Sequence, residues 1–157
     1  MKFRQTLTVA AVVAAAAVPS ADAMSVNHLV KKAHGKPYAC DMDHDGRWGS
    51  KQVQCVIIVV MPARWERWAL RVGKCESNYN HRDKNRSSSA SGVFQFLDST
   101  WRTTPQYKAA YRAARRRGAS PSSAARSAAR KVFHPVLNTQ GAYWLVRTSG
   151  PSQWSCR

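Results

Sequence analysis

The sequence predicts a mainly α-helical domain, and three observations carry that reading. From position 62 onward, apolar residues recur at spacings of three and four, the period of one helix face. Prolines at 62, 121 and 135 and glycines at 118 and 150 punctuate this pattern where helices should start and stop. Alternating apolar and polar runs, the mark of a half-buried strand, are scarce, and there is no internal repeat.

Residues 1–23 read as a secretory signal rather than as fold. Lys2 and Arg4 precede an Ala/Val-rich run from Leu7 to Val18, and Ala21-Asp22-Ala23 has the small-x-small form of a cleavage site. A run of about a dozen apolar residues is too short to span a bilayer, which takes roughly 20. Cleavage is expected near Ala23-Met24, with an uncleaved anchor or a buried helix as the alternative. No later stretch is apolar enough to cross a membrane.

Residues 24–61 form an N-terminal extension. Its first part, 24–39, is polar and should be loosely ordered. Residues 40–55 make a loop bounded by Cys40 and Cys55. Residues 56–61 are solidly apolar and β-branched, which suits a buried strand or the start of a buried helix.

The main domain, residues 62–157, then reads as five helices. Pro62 suits the first turn of the first, and Trp65, Trp68, Ala69 and Val72 share one face, with position 76 next in line. Val93, Phe94, Leu97 and Trp101 mark a second, from Gly92 with Ser91 as N-cap. Tyr107, Ala110, Tyr111 and Ala114 mark a third, ending near Gly118. Ser120-Pro121 opens a fourth, with Ala125, Ala128, Ala129 and Val132 on one face, and Pro135 breaks it. Residues 136–147 make a fifth, closed by Ser149-Gly150-Pro151.

Four cysteines in an exported chain imply two disulfides in an oxidising compartment. Of three pairings, Cys40–Cys55 with Cys75–Cys156 is preferred. The first brackets a short loop and the second ties the chain end to the core. The charge is extreme, with 25 basic against 8 acidic residues, formally +17. Loss of Lys2, Arg4 and Asp22 with the signal leaves +16. Such a surface seeks polyanions: nucleic acid, an anionic membrane or anionic wall polymers.

The chain has only two glutamates, Glu66 and Glu76. Glu76 stands beside Cys75, at the end of the apolar stripe and just before a polar loop. A carboxyl group on an apolar helix face loses hydration, which favours the protonated form that a general acid needs. The plain alternative is a solvated glutamate near a helix end. Downstream, Ser91-Gly92-Val93-Phe94-Gln95-Phe96 and Ser99-Thr100-Trp101 combine small residues, an amide and a large aromatic. Gln95 can both donate to and accept from a sugar amide or hydroxyl. Trp101 fits the core better than a stacking surface.

Glu76-Ser77, a loop containing Asn85, then Ser91-Gly92-x-Phe94-Gln95 and Ser99-Thr100-Trp101 together resemble the lytic transglycosylase domain, related to goose lysozyme. Cys75 before the acid and the closing Trp154-Ser155-Cys156 are similar to small secreted actinobacterial forms akin to resuscitation-promoting factors. The resemblance covers residues 62–156 and implies a lysozyme-like fold. It implies cleavage of the β-1,4 bond between N-acetylmuramic acid and N-acetylglucosamine, with Glu76 as the single acid/base. Ser77 would orient the acid and Gln95 would line the glycan cleft. Ala142-Tyr143-Trp144 partly matches the family's late Ala-Tyr-Asn, with Trp144 in place of Asn, which makes Tyr143 a further substrate-binding candidate.

One acid or two decides the chemistry. Ordinary glycosidases use two carboxylates, about 5–5.5 Å apart when retaining and about 6.5–9.5 Å when inverting. The available partners are Asp83, in the basic loop His81-Arg82-Asp83-Lys84-Asn85-Arg86, and Asp98, off the apolar stripe. Asp83 reads as a loop charge in local ion pairs, and neither looks buried by pattern. A single acid needs help from the substrate, and the family implies a 1,6-anhydro product. Lysozyme-type hydrolysis is the alternative.

Asp41, Asp43 and Asp45, followed by Gly46, resemble the start of an EF-hand-type calcium loop. The twelfth position is Gln52 rather than a bidentate Glu, so a solvated acidic turn competes with calcium binding. No other cofactor is expected, and the five histidines lack metal-ligand spacing. Residues 106–131 hold eight basic residues and no acid. They read as a solvated face that grips an anionic wall rather than as a nucleic-acid site. The expectation is a monomeric secreted enzyme whose partners are peptidoglycan glycan strands and anionic wall polymers. A non-catalytic cationic wall-binding protein is the alternative from another class.

Overall fold

The structure is a computed structural model that describes residues 31–33, 36–38 and 48–156. The expected signal, Cys40 and the acidic cluster Asp41, Asp43 and Asp45 lie outside those residues. The chain is mainly helical. Two short strands, β1 (Lys31–Ala33) and β2 (Lys36–Tyr38), pair antiparallel with Lys32 opposite Pro37. They occupy a segment expected to lack order, and three-residue strands are too short to show an alternating pattern.

α1 (Ser50–Val60) resolves the ambiguous apolar run in favour of helix. It starts inside the segment expected to be a Cys-bounded loop. Val53, Val56 and Ile57 at spacings of three and four are buried, so packing outweighs the modest helix propensity of β-branched residues. Met61 turns extended before Pro62, as a residue preceding proline should. Val53, Ile57 and Met61 share one core with Trp68, Ala69, Val72, Phe94, Trp101 and Leu145. The second half of the N-terminal extension therefore packs as part of the helical body.

α2 (Ala63–Ser77) follows, with Pro62 just outside it as N-cap and Glu66 in its first turn, where the helix dipole favours an acid. α3 (Asp98–Thr103) is short. Thr104 ends α3 and starts α4 (Pro105–Arg116). Its buried hydroxyl donates to the Trp101 carbonyl at 2.7 Å and accepts from the Tyr107 amide at 3.2 Å. α5 (Pro121–Arg130) is capped by Ser120 and buries Ala124 and Ala128. A 3-10 turn (Lys131–Phe133) leads into α6 (Pro135–Ser149), and a second (Pro151–Gln153) delivers the buried Trp154. Helices α4, α5 and α6 thus stand where the punctuation places them.

The helix expected from Gly92 does not form. Residues 91–96 make a tight hairpin turn, and helix begins only at Asp98. Gly92 has φ +81°, and a Cβ there would lie 2.5 Å from both Asn138 Nδ2 and the Val132 carbonyl oxygen. Glycine is needed for conformation and for space alike. The helical spacing of Val93, Phe94 and Trp101 is a product of three separate routes into the core.

Candidate active site

The site is built around the end of α2. The apolar stripe of that helix passes into the core through Gly73 and Ser77, while Glu76, its penultimate residue, sits half-buried at the edge. The Glu76 carboxylate makes no hydrogen bond or ion pair with any described residue. Beyond it the chain reverses sharply. Asn78 (φ 51°) caps the helix, with its amide donating to the Gly73 and Lys74 carbonyls, and Tyr79 (φ 61°) follows in the same left-handed region. Lys74 Nζ donates to Asn78 Oδ1 at 2.6 Å and Tyr79 Oη donates to the Leu70 carbonyl at 3.0 Å, which hold this reversal. Burial pushes the Tyr79 phenol above its usual pKa of 10.0.

The 91–96 turn faces this helix end. Ser91 and Phe96 exchange two backbone hydrogen bonds at 3.0 Å, closing the turn. Ser77 Oγ donates to the Val93 carbonyl at 2.9 Å and reaches the Gly73 carbonyl at 3.2 Å. Trp154 Nε1 donates to the next carbonyl, that of Phe94, at 2.8 Å. The Phe94 amide donates to Asn138 Oδ1 at 2.9 Å, and Asn138 Nδ2 donates to the Val132 carbonyl at 2.8 Å. Three side chains from α2, α6 and the C-terminal segment thus fix a turn that has no helical ladder of its own. Ser77 is buried and committed to two carbonyls. It fastens the acid's helix to the turn, the contact through which it would bear on the placement of the acid.

Gln95 is the product of this fixing. It has φ 46° and is half-buried. Its Nε2 donates to the Gly92 carbonyl at 2.9 Å and lies 3.5 Å from the Asp83 carbonyl oxygen. Its Oε1 accepts from no described residue and is open to a ligand donor. Among the described residues, Asn78, Tyr79 and Gln95 are the non-glycine positions with positive φ, and all three border Glu76 or the turn. Strained backbone of this kind, of order 1–3 kcal/mol per residue, clusters at functional sites.

The two possible second acids differ. Asp98 Oδ2 accepts from Arg102 Nε at 2.8 Å and is engaged in that pair. Asp83 is half-buried and has no ion pair among the described residues, contrary to the local pairing expected in its basic loop. Its carbonyl accepts from the Gly92 amide at 2.8 Å, which docks the loop after Glu76 onto the turn. Asn85 accepts from the Ser87 amide and hydroxyl, each at 2.8 Å, and so shapes the following serine-rich segment.

Tyr143 is half-buried with Arg147 Cζ 5.5 Å from its ring centroid. It makes no hydrogen bond to Glu76, Ser77 or Gln95, so the structure does not join it to the acid by direct contact. Trp101 is core, as expected, and donates its Nε1 to the Ala128 carbonyl at 3.2 Å.

Cys75 is bonded to Cys156, with Cα atoms 5.9 Å apart across 81 residues. Cys55 is also disulfide-bonded, and its expected partner Cys40 lies outside the described residues. Gln52 falls in α1. Among the described residues, no group of three or more His, Cys, Asp or Glu side chains is placed to hold a metal. No described helix is long and apolar enough to cross a membrane.

Two surface cavities, of about 550 and 510 Å³, lie beside the loop after α2 and meet at Arg130 and Phe133. Neither is lined by Glu76, Gln95 or Tyr143. Sequence reading missed Asn138 and the Trp154 indole as parts of the site. A lone asparagine amid the apolar residues of α6 was the available signal, because a buried amide must find partners. No family model, curated protein or solved structure matches this chain.

Proposed function

We propose that this protein is a secreted peptidoglycan-cleaving enzyme with a lysozyme-like fold. In this reading Glu76 is the single acid/base acting on the β-1,4 bond between N-acetylmuramic acid and N-acetylglucosamine. The observation that carries it is the state of the Glu76 carboxylate. It is half-buried at a helix end, without a partner among the described residues, and flanked by a turn that three side chains hold in place. Glu66, the other glutamate, is also half-buried and unpaired among the described residues, so it is the place of Glu76 beside the fixed turn that singles it out. An unpaired carboxyl group at that place is available to a substrate.

Glu76 in its protonated form would donate to the glycosidic oxygen as the bond to the muramyl C1 breaks. The muramyl N-acetyl oxygen would stabilise the positive charge at C1. The muramyl 6-hydroxyl would then attack C1, with Glu76, now a carboxylate, taking its proton. Atoms balance: one glycosidic bond is exchanged for the 1,6-anhydro bond, and no water enters. Ser77 acts by positioning. The open Oε1 of Gln95 would accept from a glycan hydroxyl or amide N–H. Commitment of Asp98 to Arg102 supports a mechanism with one acid.

Hydrolysis is the second reading, and Asp83 favours it. A half-buried carboxylate without an ion pair, on the loop directly after Glu76, is suited to hold a water. Mass analysis of products from purified sacculi separates the readings, since anhydro ends are one water lighter than reducing ends. Export is part of the proposal, and it agrees with disulfides at Cys55 and Cys75–Cys156.

A further inference from the structure

We propose that the cavity between the loop after α2 and the corner joining α5 to α6 binds a phosphate group, such as those of a polyol-phosphate polymer. The cavity holds about 550 Å³, ample for a phosphate group and the polyol units flanking it. Arg82 enters it from the loop, Arg126 and Arg130 from successive turns of α5, and Lys131 from the 3-10 turn. Among the described residues no carboxylate lines it, and none of these four side chains has an ion pair or hydrogen bond. Four cations converging on one concave space without a counter-charge repel one another, and an anion seated there removes that repulsion.

The remaining lining supplies hydrogen-bond chemistry. Ser123 and Ser127 lie one turn apart on α5. His81 Nδ1 is 2.6 Å from the Phe133 carbonyl oxygen, which can only accept. The proton therefore sits on Nδ1, leaving Nε2 available. His134 Nδ1 is buried without a partner. His134 is held below its usual pKa by burial, then by Lys131 and His81. A bound phosphate would reverse the balance and favour its charged form. Arg82, Arg126 and Arg130, which line the same space, act in the same direction as Lys131 and His81.

A polyol phosphate suits the cavity better than nucleic acid does. The aromatic residues at its wall, Trp48 and Phe133, are half-buried and packed against the core, and Trp48 also lies against His134, with centroids 6.2 Å apart. Both belong to the packed wall, whereas a single-strand binder presents exposed rings in series for successive bases.

The test is calorimetric titration of the full chain at low salt with inorganic phosphate, with soluble poly(glycerol phosphate), and with a DNA oligonucleotide. Saturable binding of phosphate and of the polymer is expected. Arg126→Ala/Arg130→Ala should weaken both at least about tenfold, the scale of one lost charge-assisted hydrogen bond. Lys108→Ala/Arg112→Ala removes the same charge from the exposed side of α4 and should weaken binding less than about twofold. NMR should show His134 moving toward its protonated state on addition of phosphate. Equal weakening by the two double variants, absence of saturable binding, or an unmoved His134 would overturn the proposal. DNA binding tighter than the polymer, with the same loss in Arg126→Ala/Arg130→Ala, would replace it with a nucleic-acid site. Binding is read without any cleavage, so the outcome is independent of the role of Glu76.

Discussion

The hydroxyl of Ser77 donates to the carbonyl oxygen of Val93 at 2.9 Å, across sixteen residues of chain. This bond joins the last turn of the helix that carries Glu76 to the turn that carries Gln95. It is buried, so water cannot replace it cheaply. The two candidate functional side chains therefore keep their spacing through a group that touches neither.

Ser77→Ala leaves the Val93 carbonyl without this buried donor and should cost about 1–3 kcal/mol. Denaturant unfolding measures that loss. Cleavage under conditions where the variant is fully folded should still fall, because the turn is less firmly held. Unchanged activity together with unchanged stability would show that the bond has no role.

Gly92→Ala places a methyl group where Asn138 Nδ2 and the Val132 carbonyl already lie, at a left-handed φ. Backbone strain alone is worth about 1–3 kcal/mol. The clash adds to it, since Asn138 also holds the Phe94 amide. A drop of more than about 2 kcal/mol in unfolding free energy is expected. A neutral result would mean that the turn relaxes freely.

Cys156→Ser opens the bridge to Cys75, one residue before the acid. Loss of a link across 81 residues should cost about 2–5 kcal/mol. Trp154, next to Ser155 and packed on Trp68 and Phe94, should report the loosening through its fluorescence. The turn loses its anchor at the Phe94 carbonyl with it, so wall cleavage should decline at lower denaturant than the helical signal does. Coincident loss of both would contradict this order.

His134 gives a pH dependence with a definite sign. Burial lowers its pKa from 6.5, and Lys131 and His81 lower it further. Protonation is therefore harder in the folded chain than in the unfolded one. The contribution to stability is complete above about 6.5 and is lost as pH falls through the depressed folded value. In phosphate-free buffer, the difference in unfolding free energy between wild type and His134→Gln should shift against the wild type across that window. A difference independent of pH would contradict the assignment.

The helices from Pro62 onward were legible because their caps and stripes agree. Pro121, Pro135, Gly118 and Gly150 mark real ends, and Trp68, Ala69 and Val72 mark a real face. The 91–96 turn was not legible. Its residues reach the core individually, so their spacing imitates a helix, and its hold comes from Ser77, Asn138 and Trp154, distant in sequence. The position of Glu76 was read nearly right, at the edge of the stripe rather than within it. The motif singled out Ser77 without saying which way its hydroxyl is engaged, and its partner, the Val93 carbonyl, is distant in sequence. α1 was ambiguous because a short β-branched run has no period, and only its packing with the rest of the core decides.

Digestion of purified sacculi by wild type and Glu76→Gln, with mass analysis of the released muropeptides and thermal unfolding of both proteins, tests the central claim most directly. The account predicts muropeptides ending in 1,6-anhydro-muramyl groups from the wild type. It predicts none from Glu76→Gln, with an unfolding midpoint close to that of the wild type because the carboxylate has no partner among the described residues to lose. Full cleavage by a folded Glu76→Gln protein, or no cleavage by the wild type, would contradict it.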